Sequence, residues 1–199
     1  MPRPADPAGA LSELALELFL EHGYDATPMS LVAQRAGLTK AGVYHHFESK
    51  EHLLYVVHKR HIEQLLLPLI DDAEREPAAE KRLRSFLNEY ALLQTRDPSL
   101  RLLINEAKRL EPAHGAEIRD AWRRGVHLIR DAVAEMKKDG RCAPDLDPTY
   151  AAFAAIGMCS WICNWYDYTR PESGPAVART MVDLFMEGLL RGKSSEWPR

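Results

Sequence analysis

The chain has 199 residues, and with 46% apolar residues it can bury a substantial core in one domain, or in a small domain joined to a larger one. The formal net charge of −3 and the pI of about 6.2 exclude a protein that is basic over its whole surface, so any binding of a polyanion must be local. Three cysteines are too few for a disulfide framework, and no stretch approaches the roughly 20 apolar residues of a membrane span. We therefore expect a cytoplasmic protein that does not enter a membrane.

Apolar residues recur at spacings of three and four along nearly the whole chain, and this pattern predicts an all-α fold. A first helix is expected to end at Gly23. Three helix starts then follow in quick succession, because Thr27-Pro28, Thr39 and Ser49 each offer a side chain that caps a helix N-terminus. The helices between these starts must be short.

A long helix is predicted to begin at Lys50 and to reach about Arg75, with a kink or a break near Leu67 because Pro68 follows. Later helices are expected up to Thr95, from Pro98 to Pro112, along a long stretch that ends at Gly140, from Pro148 to about Arg170, and after Pro175. The helix that begins at Pro148 is apolar on nearly every side, which predicts burial by a second subunit as well as by its own.

Residues 28–47 form the plan of a helix-turn-helix, in which two short helices are separated by a turn around Gly37. The apolar positions that should face inward are Val32, Ala33, Ala36, Leu38 and Val43. The second helix then presents Lys40, Ala41, Tyr44 and His45 outward, and its N-terminal N–H groups favour phosphate. This arrangement is typical of a helix that reads the major groove of DNA.

The charge distribution supports a local basic surface. Residues 30–60 contain five basic residues (Arg35, Lys40, Lys50, Lys59 and Arg60) and two acidic ones (Glu48 and Glu51). Residues 1–29 contain one basic residue and five acidic ones. The positive charge therefore belongs to the segment around the helix-turn-helix.

The stretch "GYDATPMSLVAQRAGLTKAGVYHHFESKEHLL" resembles the DNA-binding domain of the tetracycline-repressor (TetR) family of bacterial transcriptional regulators. The resemblance implies that Lys40, Tyr44 and His45 approach base edges and backbone, and that Thr27, His46 and Lys50 hold phosphates. It places Thr39, Ala41 and Gly42 on the same DNA-binding surface. The family often has glycine followed by threonine or serine after this lysine. Here Ala41 and Gly42 stand instead, so that a hydroxyl contact at position 42 is missing, and Gly42 costs the helix about 1 kcal/mol relative to alanine.

The resemblance implies two domains, a helix-turn-helix domain at residues 1–48 and a larger helical domain for ligand binding and dimerisation at residues 49–199. Two operator half-sites about one helical turn apart require two reading helices and hence a homodimer. The last two helices are the expected four-helix dimer interface.

The stretch "GMCSWICNWYDYTRPESGP" is similar to a subset of the family that carries a Trp-x-x-x-Trp-Tyr signature and often responds to acyl-CoA thioesters. Members commonly have a basic residue directly after the Trp-Tyr pair, whereas Asp167 stands there in this chain. The predicted ligand-binding residues are Asn105, Glu106, Arg109, Met158, Trp161, Trp165 and Tyr166. Two alternatives stay open at this point. Trp161 and Trp165 either line the pocket or pack in the core or dimer interface, and the three polar residues either orient the ligand or form a salt-bridging face.

Sequence patterns for catalysis or metal binding are weak. Glu111-Pro-Ala-His114 matches half of a di-iron motif without a second copy and is expected in a loop, while His58 and His61 lack further ligands at a suitable spacing. We therefore expect no catalytic residue, no metal and no cofactor. The predicted function is a ligand-responsive repressor that binds double-stranded operator DNA and is released by a small apolar effector. The alternatives are a helical acyl-CoA-binding protein or enzyme that does not bind DNA, and a helical protein-interaction module.

Overall fold

The helical prediction is confirmed by a computed structural model that describes residues 6–191, in which every regular element is a helix. Along the chain the helices are α1 (Pro7–His22), α2 (Met29–Arg35), α3 (Lys40–Tyr44), α4 (Lys50–His61), α5 (Leu67–Glu74), α6 (Ala79–Arg96), α7 (Ser99–Glu106), α8 (Pro112–Lys138), α9 (Pro148–Ser160), α10 (Ile162–Trp165) and α11 (Gly174–Arg191). A π-helical segment, Ile62–Leu66, joins α4 to α5, and 3₁₀ turns lie at Ala107–Arg109 and Pro171–Ser173. Over residues 6–191, no helix has the length and apolarity that a membrane crossing requires.

The described chain forms two compact units. The first contains residues 6–63 and 99–119, and the second contains residues 64–98 and 120–191. The stretch 99–119, which lies far along the chain, thus folds with the helix-turn-helix region. A functional boundary at residue 48 stays a prediction, since a compact unit is defined by packing and not by what it binds.

One apolar cluster holds α1 to α4 together in the first unit. Its buried members are Leu11, Ala15, Leu18, Phe19, Met29, Val32, Ala33, Val43, Phe47, Leu53 and Leu54. The predicted inner face is thus confirmed at Val32, Ala33 and Val43, and Ala36 packs against the cluster while half-buried. Leu38 was wrongly predicted to be buried, because the turn that contains it carries it outward and leaves 45% of it exposed.

The predicted interruption before Pro68 takes the form of a π-helical segment. Proline lacks an N–H group, and in a regular α-helix its ring collides with the carbonyl four residues earlier. The wider π-helical turns of Ile62–Leu66 end two residues before Pro68, and such turns are a known way for a helix to absorb a local disruption. The chain therefore stays helical from Lys50 to Glu74.

The second unit is organised around α6, which packs against α5, α9, α10 and α11. Leu83, Phe86, Leu87 and Tyr90 form its buried stripe, with spacings of three and four residues. Asp147 caps α9 as predicted, because its carboxylate accepts hydrogen bonds from the N–H groups of the first turn.

Two predicted helix boundaries were wrong. Pro112 begins α8 instead of ending the preceding helix, which places Pro112–His114 in a first helical turn and not in a loop. Proline suits this position, because the N–H group that it lacks would have no helical partner there. The helix predicted to begin at Pro148 ends at Ser160, and α10 follows as a separate turn.

Candidate nucleic-acid interface and ligand-binding residues

Helix α3 is short, and the residues around it hold it in place. The Thr39 hydroxyl caps the helix by accepting a hydrogen bond from the Gly42 N–H at 3.1 Å, as predicted. Gly37 supplies the turn with a φ of +66°, a conformation that side chains with a Cβ rarely adopt. Val43 and Phe47 are buried below the helix. The orientation of α3 is therefore set from the inside, and its other face is left for solvent.

The outward face of α3 carries the side chains predicted to read DNA. Lys40, Ala41, Tyr44 and His45 are all exposed, with 42% of Tyr44 accessible. The Lys40 ammonium lies 5.8 Å from the centre of the Tyr44 ring, within the range of a cation–π contact. The two side chains thus project together from one surface, as a pair of base-reading groups must.

Gly42 and His46 are half-buried beside this face. A Cβ added to Gly42 would lie 3.4 Å from the Thr39 hydroxyl and 3.6 Å from Leu38 Cβ, which are ordinary packing distances. An alanine side chain would therefore fit at this position without displacing its neighbours. The ring centre of His46 lies 6.3 Å from that of Phe47, so one side of the imidazole faces the protein.

Thr27 was wrongly predicted to cap α2. Its side chain is fully buried, and its single hydroxyl proton is shared between the carbonyl oxygens of Gly23 at 2.8 Å and Leu18 at 3.2 Å. Pro28 stands at the cap position instead, without a side-chain hydrogen bond. Because the Thr27 hydroxyl points into the protein and ties α1 to the following loop, we leave Thr27 out of the proposed DNA contacts.

Lys50 lies at the start of α4, where its ammonium donates to the backbone oxygen of Asp25 at 3.2 Å and sits 4.3 Å from the centre of the Tyr24 ring. Partial burial lowers the pKa of Lys50, because a charged ammonium loses hydration there. This site suits a cation that is held in place by the protein and completed by an anion from outside. The phosphate contact itself stays a prediction.

Folding reduces the basic surface that the residue count suggests. Three of the five basic residues in segment 30–60 form ion pairs, which are Arg35 with Glu21, Lys59 with Glu117, and Arg60 with Asp6 and Glu13. Within residues 6–191, Lys40 and Lys50 have no acidic side chain at ion-pair distance. Of the five basic residues in segment 30–60, Lys40 and Lys50 are therefore the two whose charge no ion pair among the described residues offsets.

The predicted polar ligand residues Asn105, Glu106 and Arg109 belong to the first unit, at the end of α7 and in the 3₁₀ turn after it. Asn105 is exposed. Arg109 forms an ion pair with Glu106 and donates to the Asp25 carboxylate at 2.6 Å, while its guanidinium lies 5.2 Å from the Tyr24 ring centre. This is the salt-bridging alternative for Glu106 and Arg109.

Tyr24 and Asp25 were missed by the sequence analysis. They lie in the loop between α1 and α2, where Tyr24 contacts both Lys50 and Arg109. No local pattern could have identified them, because Asp25 and its partner Arg109 are 84 residues apart.

The only group of metal-compatible side chains within the described residues is Glu51, Glu111 and His114, whose donor atoms lie within 4.8 Å of one another. The Glu51 carboxylate already has two partners here, since it accepts from the backbone N–H of Glu111 at 2.8 Å and lies 3.0 Å from His114 Nδ1. The His114 ring also stacks on Tyr55 with centres 4.0 Å apart. The group therefore serves to tie the start of α8 to α4.

The other four predicted ligand residues, Met158, Trp161, Trp165 and Tyr166, belong to the second unit. Tyr166 is buried, and its hydroxyl donates to the Arg170 carbonyl at 3.0 Å. Met158 is half-buried. Trp161 and Trp165 are 63% and 47% exposed, so neither belongs to the core of the single chain. A cleft of about 460 Å³ lies elsewhere in this unit, beside α6 and α11, and none of the four residues lines it.

Comparisons with known proteins agree with this geometry. The family model described as "Bacterial regulatory proteins, tetR family" matches residues 11–56, and "Tetracyclin repressor-like, C-terminal domain" matches residues 75–189. The HTH-type transcriptional repressor KstR2 of Mycolicibacterium smegmatis is 26% identical over 205 residues, which cover 98% of this chain and 96% of the relative. The HTH-type transcriptional activator FasR of the same organism is 27% identical over 91% of this chain and 82% of its own.

Among solved structures, the complex of AibR with isovaleryl coenzyme A and operator DNA is similar to this chain with a TM-score of 0.78 and 25% identity, over 92% of this chain and 97% of AibR. The family models together cover both the helix-turn-helix and most of the remaining helices. The chain therefore belongs to the TetR family of bacterial regulatory proteins and is a DNA-binding transcriptional regulator.

Proposed function

We propose that this protein is a homodimeric repressor that binds a palindromic operator through α3 and leaves it when an acyl-CoA thioester binds to the larger helical domain. The observation that carries the proposal is the similarity over more than nine-tenths of both chains to AibR, whose structure contains both isovaleryl coenzyme A and operator DNA. The proposal gives the protein no catalytic role and places it in the cytoplasm, where bacterial operators lie. Residues 1–48 would form the DNA-binding domain, with Lys50 directly after it as a further DNA contact, and residues 49–199 would bind the effector and the second subunit.

The proposed DNA contacts rest on the exposed face of α3. Lys40 and Tyr44 are the groups with the reach and chemistry for base edges, since a lysine can donate to guanine O6 and N7 and an aromatic ring can contact a thymine methyl. Thr39, Ala41 and His45 share that exposed face and Gly42 lies beside it, and we propose that His46 and Lys50 contact phosphates. Phosphate contacts set the position on the duplex, and base contacts set the sequence preference.

The proposed dimer surface is an apolar stripe along α9 that the single chain leaves exposed. Tyr150, Phe153 and Trp161 are 73%, 58% and 63% exposed, and their positions repeat at helical spacing. Gly157 lies between them with nothing within 4 Å of an added Cβ, so a neighbouring helix can approach closely. Leu184 on α11 is 62% exposed. Large apolar side chains exposed at helical spacing are typical of a subunit interface, and we assign Trp161 to this interface in preference to the pocket.

The proposed repression requires that the effector bind more tightly to a state with low operator affinity, since equal affinity for both states would shift nothing. Helix α4 begins at Lys50 and continues through the π-helical segment into α5. A small shift of this helix would therefore move a DNA-contacting residue directly. Arg109 offers a second connection, because it contacts Tyr24 and Asp25 in the loop before α2.

The experiment that tests the proposal is operator binding in the presence and absence of acyl-CoA thioesters. Fluorescence anisotropy with DNA from upstream of the gene should show specific binding that weakens steeply with salt. Addition of isovaleryl-CoA, octanoyl-CoA or stearoyl-CoA should then lower the affinity for at least one of the three. Equal weak binding to any duplex would reject the DNA-binding part, and specific binding that no thioester changes would reject the effector. Weak operator binding without a thioester and tighter binding with one would reject release by the effector.

A further inference from the structure

A fully buried amide in α6 lacks hydrogen-bond partners. The side chain of Gln94 has 0% exposure, and within residues 6–191 neither its Nε2 nor its Oε1 has a hydrogen-bond partner. A glutamine amide offers two donor hydrogens and an acceptor oxygen, so both kinds of group are unsatisfied at once. Because nearly all buried polar groups in proteins are hydrogen-bonded, an orphaned pair of this kind needs an explanation.

The backbone around Gln94 is held firmly, so the amide cannot reach solvent through fraying of the helix end. The Tyr168 hydroxyl donates to the Gln94 backbone oxygen at 2.9 Å, and the Thr95 hydroxyl donates to the Leu92 carbonyl at 2.8 Å. Gly174 approaches so closely that an added Cβ would lie 2.7 Å from the Thr95 hydroxyl. The position of the amide is therefore a property of the folded second unit.

Helix α6 buries a second polar side chain, that of Tyr90, in the second unit. Tyr90 lies one helical turn earlier, and its hydroxyl is 2.6 Å from the Ser160 hydroxyl of α9. These two groups satisfy each other, whereas Gln94 does not share in the bond. Burial raises the pKa of Tyr90 well above its usual range and that of Cys159 to about 12, so both groups are neutral at physiological pH. The polar groups that α6 and α9 bury one helical turn before Gln94 are therefore uncharged.

We propose that the Gln94 amide binds the pantetheine arm of an acyl-CoA thioester, with Nε2 donating to the carbonyl of one of its two amides and Oε1 accepting from the N–H of the other, because the N–H and C=O of a single trans amide point in opposite directions. A group that satisfies both atoms must both accept and donate, and the pantetheine amides do so. A thioester carbonyl only accepts hydrogen bonds and would leave Oε1 without a donor. This inference rests on the proposed function, and it makes Gln94 a residue that selects CoA thioesters over free fatty acids.

The test uses the full chain, with Gln94→Met as an apolar replacement of similar shape and Leu87→Met as a control at a fully buried position of the same helix. Three probes are compared: the acyl-CoA most effective in operator release, the pantetheine thioester of the same acyl group, and its free acid. Gln94→Met should weaken binding of both thioesters at least about tenfold, because a buried ligand amide loses its partner, and should leave the free acid unchanged. It should also raise the Tm of the unliganded protein, since an unsatisfied amide is removed.

Each result decides the inference. Thioester affinities that Gln94→Met leaves at the wild-type level would overturn it while the proposed effector stands. An equal loss of affinity for the free acid would overturn it as well, because Gln94 would then contact the acyl group. A lower Tm or a failure to fold would also overturn it, because the amide would then have partners in the unliganded protein. If the wild-type protein binds no acyl-CoA, the proposed function fails and the inference fails with it. A tenfold loss in the Leu87→Met control would attribute the effect to repacking and reject the hydrogen bond.

Discussion

Arg109 and Asp25 form an ion pair of 2.6 Å that joins the 3₁₀ turn after α7 to the loop before α2. The guanidinium also faces the Tyr24 ring, which contacts the ammonium of Lys50 as well. The pair is exposed, with 36% and 75% of the two side chains accessible, so its contribution to stability is small. The pair is of interest because of where it lies. It connects the turn after α7, outside the helix-turn-helix, to Asp25, whose backbone oxygen accepts from the lysine predicted to hold a phosphate.

Arg109→Gln should reduce the effect of the effector on operator binding while leaving the unliganded protein nearly unchanged. The substitution removes the charge that links the 3₁₀ turn to Asp25, and an exposed pair contributes less than about 1 kcal/mol to folding. The measurement is the ratio of operator Kd values with and without a releasing acyl-CoA. Arg123→Gln is the matched control, because Arg123 pairs with Asp120 within α8. A ratio equal to that of the wild type would show that the signal does not pass through this pair.

Lys40→Ala should relax sequence preference at the operator. Lys40 is exposed beside Tyr44, and a lysine contact with a base edge carries about 1–3 kcal/mol of discrimination. Binding to the operator should therefore weaken about tenfold or more, with little change for a scrambled duplex. Competition binding with the two duplexes measures this difference.

Lys50→Ala is the contrasting variant for that experiment. If Lys50 holds a phosphate, its removal should weaken binding to both duplexes alike. It should also lower the slope of log K against log salt by about one. If Lys50→Ala changed sequence preference and Lys40→Ala did not, the assigned roles would be reversed.

Gly42→Ala should stabilise the protein by up to about 1 kcal/mol. Its added Cβ meets only ordinary packing distances, and alanine suits a helix better than glycine. Gly37→Ala is the comparison, because φ is +66° there and the substitution should destabilise by about 1–2 kcal/mol. Urea unfolding followed by fluorescence measures both. A destabilised Gly42→Ala protein would show that the helix around position 42 is more constrained than its geometry indicates.

The stability of the protein should fall with acidity between about pH 6.5 and pH 4 because of His58. Burial, with a smaller effect of His61, lowers the pKa of His58 from 6.5 to about 4. The unfolded chain therefore binds a proton in this range that the folded protein excludes, and folding stability rises with pH until about 6.5. The full effect is about 3 kcal/mol. Unfolding across this pH range should show a flatter profile for His58→Leu and an unchanged one for the exposed His22→Gln. A profile for His58→Leu as steep as that of the wild type would contradict the assignment.

Phe153→Glu and Trp161→Glu should shift the protein from dimer to monomer. Both side chains are more than half exposed on the stripe of α9 that we assign to the interface, and a buried unpaired carboxylate there is costly. Sedimentation velocity measures the dissociation. Leu20→Glu, at an apolar residue of α1 that is 44% exposed, is the control and should stay dimeric. Dimers that tolerate both α9 substitutions would place the interface elsewhere.

The sequence by itself determined the helical class, the helix-turn-helix and the caps at Thr39 and Asp147. These features depend on residues that are close along the chain, so the spacing of apolar positions and the chemistry of a helix start are enough to predict them. The exposed face of α3 followed in the same way, because burial of Val43 leaves Lys40 and Tyr44 on the other side.

The tertiary structure alone decided which distant residues meet. It turned Thr27 inward to the carbonyls of α1, and it brought Arg109 to Asp25. It also neutralised three of the five basic residues around the helix-turn-helix and enclosed Gln94 without a partner for its amide among the described residues. Each of these outcomes depends on packing between segments far apart in the chain, and no local pattern encodes which segments will pack together.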